Sequence, residues 1–143
     1  MNICYVMCGI AGSGKSTLSK QLAKQHKAKL LCFDDMPESR ISSKSRQAHE
    51  EIWRNVAEEV KMQDVVFDDL NTTIFFRRKL MEQLSQVDCK KILYVMTTPL
   101  EECLKRNANR QGIARLPDFV INGLYSQYER PTLDEGWDEI IYV

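Results

Sequence analysis

Gly9-Ile10-Ala11-Gly12-Ser13-Gly14-Lys15-Ser16, followed by Thr17, is the stretch that decides how this chain is read. It fits G-x-x-x-x-G-K-[ST], a loop that cradles phosphate groups. Gly9, Gly12 and Gly14 let the backbone curl and turn its N–H groups inward, where a side chain would block an anion. Lys15 adds a mobile cation for the outer phosphates of a nucleotide, and the Ser16 hydroxyl is suited to ligate Mg²⁺. Ser13 and Thr17 complete the expected nucleotide contacts. The flanks fit the same reading. Ile3 to Cys8 is a short apolar run suited to a buried strand, and Ser16 to His26 reads as a helix whose N-terminus faces the anion.

Outward from the loop, the chain is one domain's worth of sequence at 143 residues, enough to bury a core. We therefore expect a single domain over residues 1–143. The formal net charge is +0. That argues against a broad basic surface for long nucleic acid and leaves room for a local basic cleft. Five cysteines without a C-x-x-C pair suit neither a disulfide framework nor a zinc site. Their usage fits a reducing cytoplasm. The N-terminal apolar run is too short for a signal peptide or a membrane span, so no membrane association is expected.

Strand-like and helix-like segments alternate along the chain, the pattern of a parallel sheet covered by helices. Strands are expected at Ile3–Cys8, Lys29–Phe33, Val65–Phe67, Lys91–Met96 and Ile140–Val143. Helices are expected at Ser16–His26, from Arg46 onward, at Ile74–Val87, at Leu100–Asn109 and after Pro117, the last with Val120, Leu124 and Tyr128 on one side. Glu38 to Lys44 is polar and serine-rich and reads as a loop. Five parallel strands flanked by helices make a compact version of the P-loop kinase plan, an α/β fold.

In an open parallel sheet, ligands collect at the carboxyl ends of the strands. Four features are expected there: the glycine loop, Asp34-Asp35, Asp68-Asp69 with Asn71, and Thr97-Thr98. Asp68 closes Val65-Val66-Phe67, a strand-then-carboxylate arrangement that would hold Mg²⁺ together with Ser16. Asp69 could instead position a substrate. Asp34 or Asp35 is placed to accept a proton from an acceptor hydroxyl, and adjacent carboxylates point differently, so one of them would be the base. Arg106 and Arg110, four apart, share a helix face. With Arg115 and a hinge near Gly112 they make a candidate lid, about residues 106–116, whose arginines would stabilise the charge of a transferring phosphoryl group. Arg40, Lys44 and Arg46 form a second basic group. His26 and His49 have no metal-ligand spacing and read as helix or surface residues. Trp53 reads as core, whereas Trp137 and Tyr125 could border a cleft.

These residues together resemble the P-loop polynucleotide 5′-hydroxyl kinases and the wider group of zeta-toxin-like and seryl-tRNA kinase-like enzymes. The resemblance covers most of the chain. It rests on Gly9–Thr17, Phe33-Asp34-Asp35, Phe67-Asp68-Asp69-Leu70-Asn71, Lys105-Arg106-Asn107 with Arg110, and Tyr128-Glu129-Arg130-Pro131 leading to Glu135-Gly136-Trp137. It implies that Lys15 and Ser16 bind ATP phosphates and metal and that Asp34 is the general base. It also implies that Asp69 lies on the acceptor side and that Arg106 and Arg110 act from the lid; Asp35, Arg40 and Asn71 are further candidates for acceptor contacts. Two positions depart from the pattern. Leu70 replaces the threonine of a D-T-N segment, and Pro37 stands where the polynucleotide kinases carry an arginine for the acceptor's 3′-phosphate.

The reading is an ATP- and Mg²⁺-dependent kinase with a nucleic-acid 5′-hydroxyl as the favoured acceptor. The absent arginine speaks for the first alternative, a kinase of a sugar, nucleoside or nucleotide-sugar. The second is an ATP-binding regulatory module without an acceptor site.

Overall fold

Asn2–Cys8 forms β1, and its last five residues are buried. A strand buried on both faces reads as a continuous apolar run, because each face must meet a covering layer. The computed structural model describes residues 1–39 and 41–143, so the expected acceptor contact Arg40 lies outside the described residues. Four further strands follow: β2 (Lys29–Cys32), β3 (Val65–Asp68), β4 (Cys89–Val95) and β5 (Glu139–Tyr142). They form one sheet in the order β2-β3-β1-β4-β5. Every pairing is parallel, with Val6 opposite Phe67 and Leu93, and Cys32 opposite Asp68. The fold is therefore the expected α/β architecture, a five-stranded parallel sheet flanked by helices.

Alternation along β1 sorts its side chains between two layers. Cys4, Val6 and Cys8 face a core built with α2 (Ser45–Val60) and α3 (Ile74–Leu84), including Ile52, Val56, Leu80 and Leu84. Tyr5 and Met7 face α1 (Lys15–His26), where Leu22 is buried and Leu18 and Ala23 pack alongside. All four residues of β3 are buried. Burying a Val or Phe side chain contributes about 1.5–3 kcal/mol, which holds so short a strand in place. A third cluster joins Ile10 and Ala11 of the loop to Cys103 of α4 (Leu100–Ala108) and Ile121 of α5 (Asp118–Ser126). All five cysteines are free thiols. Among the described residues no helix is long and apolar enough to cross a membrane.

The differences from expectation are local. β2 stops at Cys32, because Phe33–Asp35 turns into a 3₁₀ helix. α2 begins at Ser45, directly after a 3₁₀ turn at Ser42–Lys44 within the segment read as loop. α3 ends at Leu84 rather than Val87, and a tightened turn follows in which Val87 N–H donates to the Leu84 carbonyl at 3.1 Å. Its start is capped by the Thr73 hydroxyl, which accepts from Phe76 N–H. α5 ends at Ser126, so Tyr128 lies beyond it and packs on the α2–α3 side of the sheet. The residue that α5 buries fully is Ile121.

Candidate active site

The glycine loop joins β1 to α1. Gly14 caps α1 at φ 96°, and Gly12 stands at φ 83°. L-residues with a side chain reach that region at a cost, so glycine is the fitting choice at both. Space imposes a second restriction. A Cβ on Gly12 would lie 2.6 Å from the Cys103 carbonyl oxygen, and one on Gly14 would lie 3.2 Å from Arg106 Nη1. Gly9 N–H donates to the Leu70 carbonyl at 2.9 Å, tying the start of the loop to the end of β3. The Thr98 hydroxyl, beyond β4, donates to the Ser13 carbonyl at 2.7 Å.

A cleft of about 570 Å³ opens over this loop. Residues 12–18 line it together with Met96, Thr98, Arg106 and Arg110. The expected nucleotide contacts Gly12, Ser13, Gly14, Lys15, Ser16 and Thr17 thus share one cleft with two of the three candidate lid arginines. Gly9 sits behind the loop, where an added Cβ would meet the Ser13 hydroxyl at 2.6 Å. Lys15 Nζ donates to the Ile10 carbonyl at 3.4 Å. Arg106 reaches the Gly12 carbonyl at 3.4 Å through Nη1 and Glu102 at 3.4 Å through Nε. Arg115 is exposed and lies outside the lining. Sequence reasoning gave Asn107 no role of its own. It is fully buried, and its amide both donates to the Leu116 carbonyl at 2.7 Å and accepts from Leu116 N–H at 2.9 Å. That pair of bonds closes the base of the segment carrying Arg110 and Gly112.

Asp68 ends β3 beneath the loop with 5% of its surface exposed. Its Oδ2 accepts from the hydroxyls of Ser16 at 3.2 Å and Ser19 at 3.1 Å. Burial pushes the Asp68 carboxyl above the ordinary carboxylate range, against the opposing pull of Lys15 and the two serines. Ser16 and Asp68 are hard oxygen donors of the kind Mg²⁺ takes, set beside a cradle for phosphate, and so fit that ion. Among the described residues no group of three His, Cys, Asp or Glu side chains is arranged to hold a metal. A divalent cation here would take its other ligands from phosphate and water, as Mg²⁺ ordinarily does. The raised carboxyl also has a stability consequence. A group whose pKa is raised on folding contributes stability below its unfolded value and loses it as pH rises through the folded value. In its ionised form Asp68 is thus a cost to the fold. Asp68→Asn is expected to leave the thermal midpoint, measured without nucleotide, equal or higher; a lower midpoint would show that the serine hydrogen bonds outweigh burial.

The remaining carboxylates are placed differently. Asp34 and Asp35 occupy the exposed 3₁₀ turn after β2, outside the lining of the loop cleft. Asp69 is held: its Oδ1 accepts from Leu70 N–H at 2.8 Å, and His49 Nε2 lies 3.2 Å from its Oδ2. Asn71 departs from the expectation of an acceptor contact. It is 2% exposed and sits at φ 50°, and its amide donates to the Met7 carbonyl at 2.9 Å. Its side chain fastens the β3 exit to β1 and offers no exposed donor to an acceptor.

Two further polar residues are interior ones. Arg77 is fully buried. Its guanidinium donates to both Glu135 oxygens, at 2.8 and 3.1 Å, and to the Asn71 carbonyl at 3.0 Å. Trp137 does not border a cleft; it is 4% exposed and its indole N–H donates to Glu135 at 3.0 Å. His49 faces inward from α2 and stacks on Phe33 with ring centroids 3.7 Å apart. Helical spacing carried both signals. Arg77 falls on one stripe with Leu80, Met81 and Leu84, and His49 on one with Ile52, Trp53 and Val56.

A family model described as an AAA domain (AAA_33) matches residues 5–131. The chain is also similar to several solved structures. A gluconokinase from Sinorhizobium meliloti 1021 has 18% identity over 99% of this chain and 81% of that one, with a TM-score of 0.71. Kti12 from Chaetomium thermophilum, in complex with ADP-AlF3, has 16% identity over 98% and 88%, with a TM-score of 0.75. An APS kinase from Mycobacterium tuberculosis, in complex with AMPPNP and APS, has 15% identity over 99% and 88%, with a TM-score of 0.66. At these identities the likeness is one of fold.

Proposed function

The chain belongs to the AAA domain family, and from that premise we propose that it is an ATP-dependent phosphotransferase working as one domain over residues 1–143. One observation carries the reading: a single cleft joins the glycine loop, Lys15, Ser16, Arg106 and Arg110. Loop N–H groups and a helix N-terminus suit the phosphates of ATP. Lys15 suits the outer phosphates, and the two arginines suit the charge on a phosphoryl group in flight. Ser16 and Asp68 would hold Mg²⁺, which supplies charge neutralisation when bound. The segment 106–116 acts as the lid, and its closure excludes water.

In the proposed step the acceptor hydroxyl oxygen bonds to the γ-phosphorus as the bond from that phosphorus to the bridging oxygen breaks. ADP leaves, and the acceptor proton passes to Asp34. Asp35 and Asp69 border the acceptor, with Arg40 as a further contact. The favoured acceptor is a nucleic-acid 5′-hydroxyl, on the resemblance to polynucleotide kinases. A second reading, a small-molecule kinase, is favoured by Pro37, which stands where those enzymes grip a 3′-phosphate. The five free thiols accord with a reducing cytoplasm.

Mass spectrometry after incubation with ATP and either 5′-hydroxyl oligonucleotides or a metabolite panel separates the two readings. A phosphate gain of neither set would remove the transferase. Asp34→Asn is expected to lower turnover by about a hundredfold or more while sparing ATP affinity, the scale of a general base. If Asp35→Asn proves the damaging change, the proton goes to Asp35.

A further inference from the structure

His49 stands between the two carboxylate turns that follow β2 and β3. One edge of its ring meets the Ser45 carbonyl at 3.0 Å through Nδ1, and the other meets Asp69 Oδ2 at 3.2 Å through Nε2. Both neighbours are acceptors, and a ring hydrogen on Nε2 donates to Asp69. One face lies against Phe33 at 3.7 Å and 11°, and Phe33 is the first residue of the turn carrying Asp34 and Asp35. Phe76 and Trp53 tilt against the same ring at 4.9 and 5.6 Å. The His49 and Asp69 side chains are only 12% and 9% exposed, so water screens their contact little.

We infer that His49 is the positioning residue of the acceptor side: a single ring sets the separation of the Asp34–Asp35 turn from Asp69. The inference rests on the kinase reading above, in which those carboxylates border the acceptor. A ring that merely filled space would need shape alone, and phenylalanine would replace it without consequence. The edge contact to a nearly buried carboxylate is what phenylalanine lacks. The loop cleft has no part in this arrangement, since His49 is outside its lining, so nucleotide affinity is independent of it.

His49→Phe keeps ring volume and the stack on Phe33 but removes the donor to Asp69. His49→Gln keeps an amide donor and removes the stack. With whichever probe takes up phosphate, a 5′-hydroxyl oligonucleotide or a panel metabolite, His49→Phe is expected to raise the acceptor KM or lower kcat by between about ten- and a hundredfold, the scale set by a misplacement of about 1 Å. The ATP KM stays unchanged, and His49→Gln recovers part of the loss. An equal rise in both KM values, or no change in either the acceptor KM or kcat, overturns the inference. A second measurement is independent of turnover. The Asp69 carboxyl carbon signal and the exchange rate of the Leu70 amide, which donates to Asp69, should move in His49→Phe while the Phe33 ring signals hold. If they stay at wild-type values, His49 does not hold Asp69 and the inference falls, whatever the activity. If the wild-type protein phosphorylates nothing, the kinase reading falls on its own, and the Asp69 signal still decides the placement.

Discussion

Lys15→Ala is expected to remove phosphoryl transfer and leave the fold standing. The side chain is half-buried at the mouth of the cleft, and among the described residues its one polar contact is a long hydrogen bond, 3.4 Å, to a carbonyl of its own loop. Losing such a contact costs the fold about 0.5–1.5 kcal/mol at most. In the proposed reaction the same ammonium faces the outer phosphates, where charge moves as the bond breaks. Removing one preorganised group of that kind costs roughly a hundred- to a thousandfold in turnover. The checks are a radiolabelled phosphate-transfer assay beside a thermal melt. Transfer at the wild-type rate would remove Lys15 from the chemistry.

Arg77→Met is expected to be the most damaging change to stability. It takes away a buried guanidinium with three hydrogen bonds and leaves the Glu135 carboxylate without its counter-charge. Breaking one side of a buried pair costs about 3–5 kcal/mol. That is a large share of the roughly 5–15 kcal/mol that holds a domain folded. Chemical denaturation should show the loss as a lower midpoint. Burial pushes the Glu135 carboxyl up, but hydrogen bonds from Arg77 and Trp137 and the charge of Arg77 bring it below its ordinary value. A lowered carboxylate contributes stability that is present above its unfolded value and lost as pH falls through the folded one. The wild-type protein should therefore weaken below the ordinary carboxylate range. Arg77→Met should show less of that acid-side slope. Adding Glu135→Gln to Arg77→Met should recover part of the loss, since the amide still accepts from Trp137 and no charge is stranded.

The sheet and the loop were legible because their signals are local. Val65–Asp68 and the nine residues from Gly9 carry their own instructions for burial, turning and anion approach. Asp68 was legible for the same reason, as a carboxylate closing an apolar strand. Arg77 was not. Its neighbours Arg78 and Lys79 are helix-surface types, and the partner that permits its burial lies 58 positions later at Glu135. Asn71 was read as a polar acceptor contact, but its positive φ turns the amide onto β1. Tyr128 matched the helical period of Val120 and Leu124 in a chain that had already left the helix. The segment Tyr128–Trp137, which supported the family resemblance, contributes through packing: Glu135 and Trp137 anchor α3.

The approach of Gly12 to Cys103 has a mechanical meaning. With a carbonyl oxygen 2.6 Å from where any side chain would begin, the anion loop and α4 touch backbone to backbone. At that point backbone atoms of Cys103, not a flexible side chain, stand nearest to Gly12. In the proposed lid closure a swing of the arginine-bearing helix would be geared to the loop, and a larger residue at position 12 would meet the Cys103 carbonyl before any phosphate arrived.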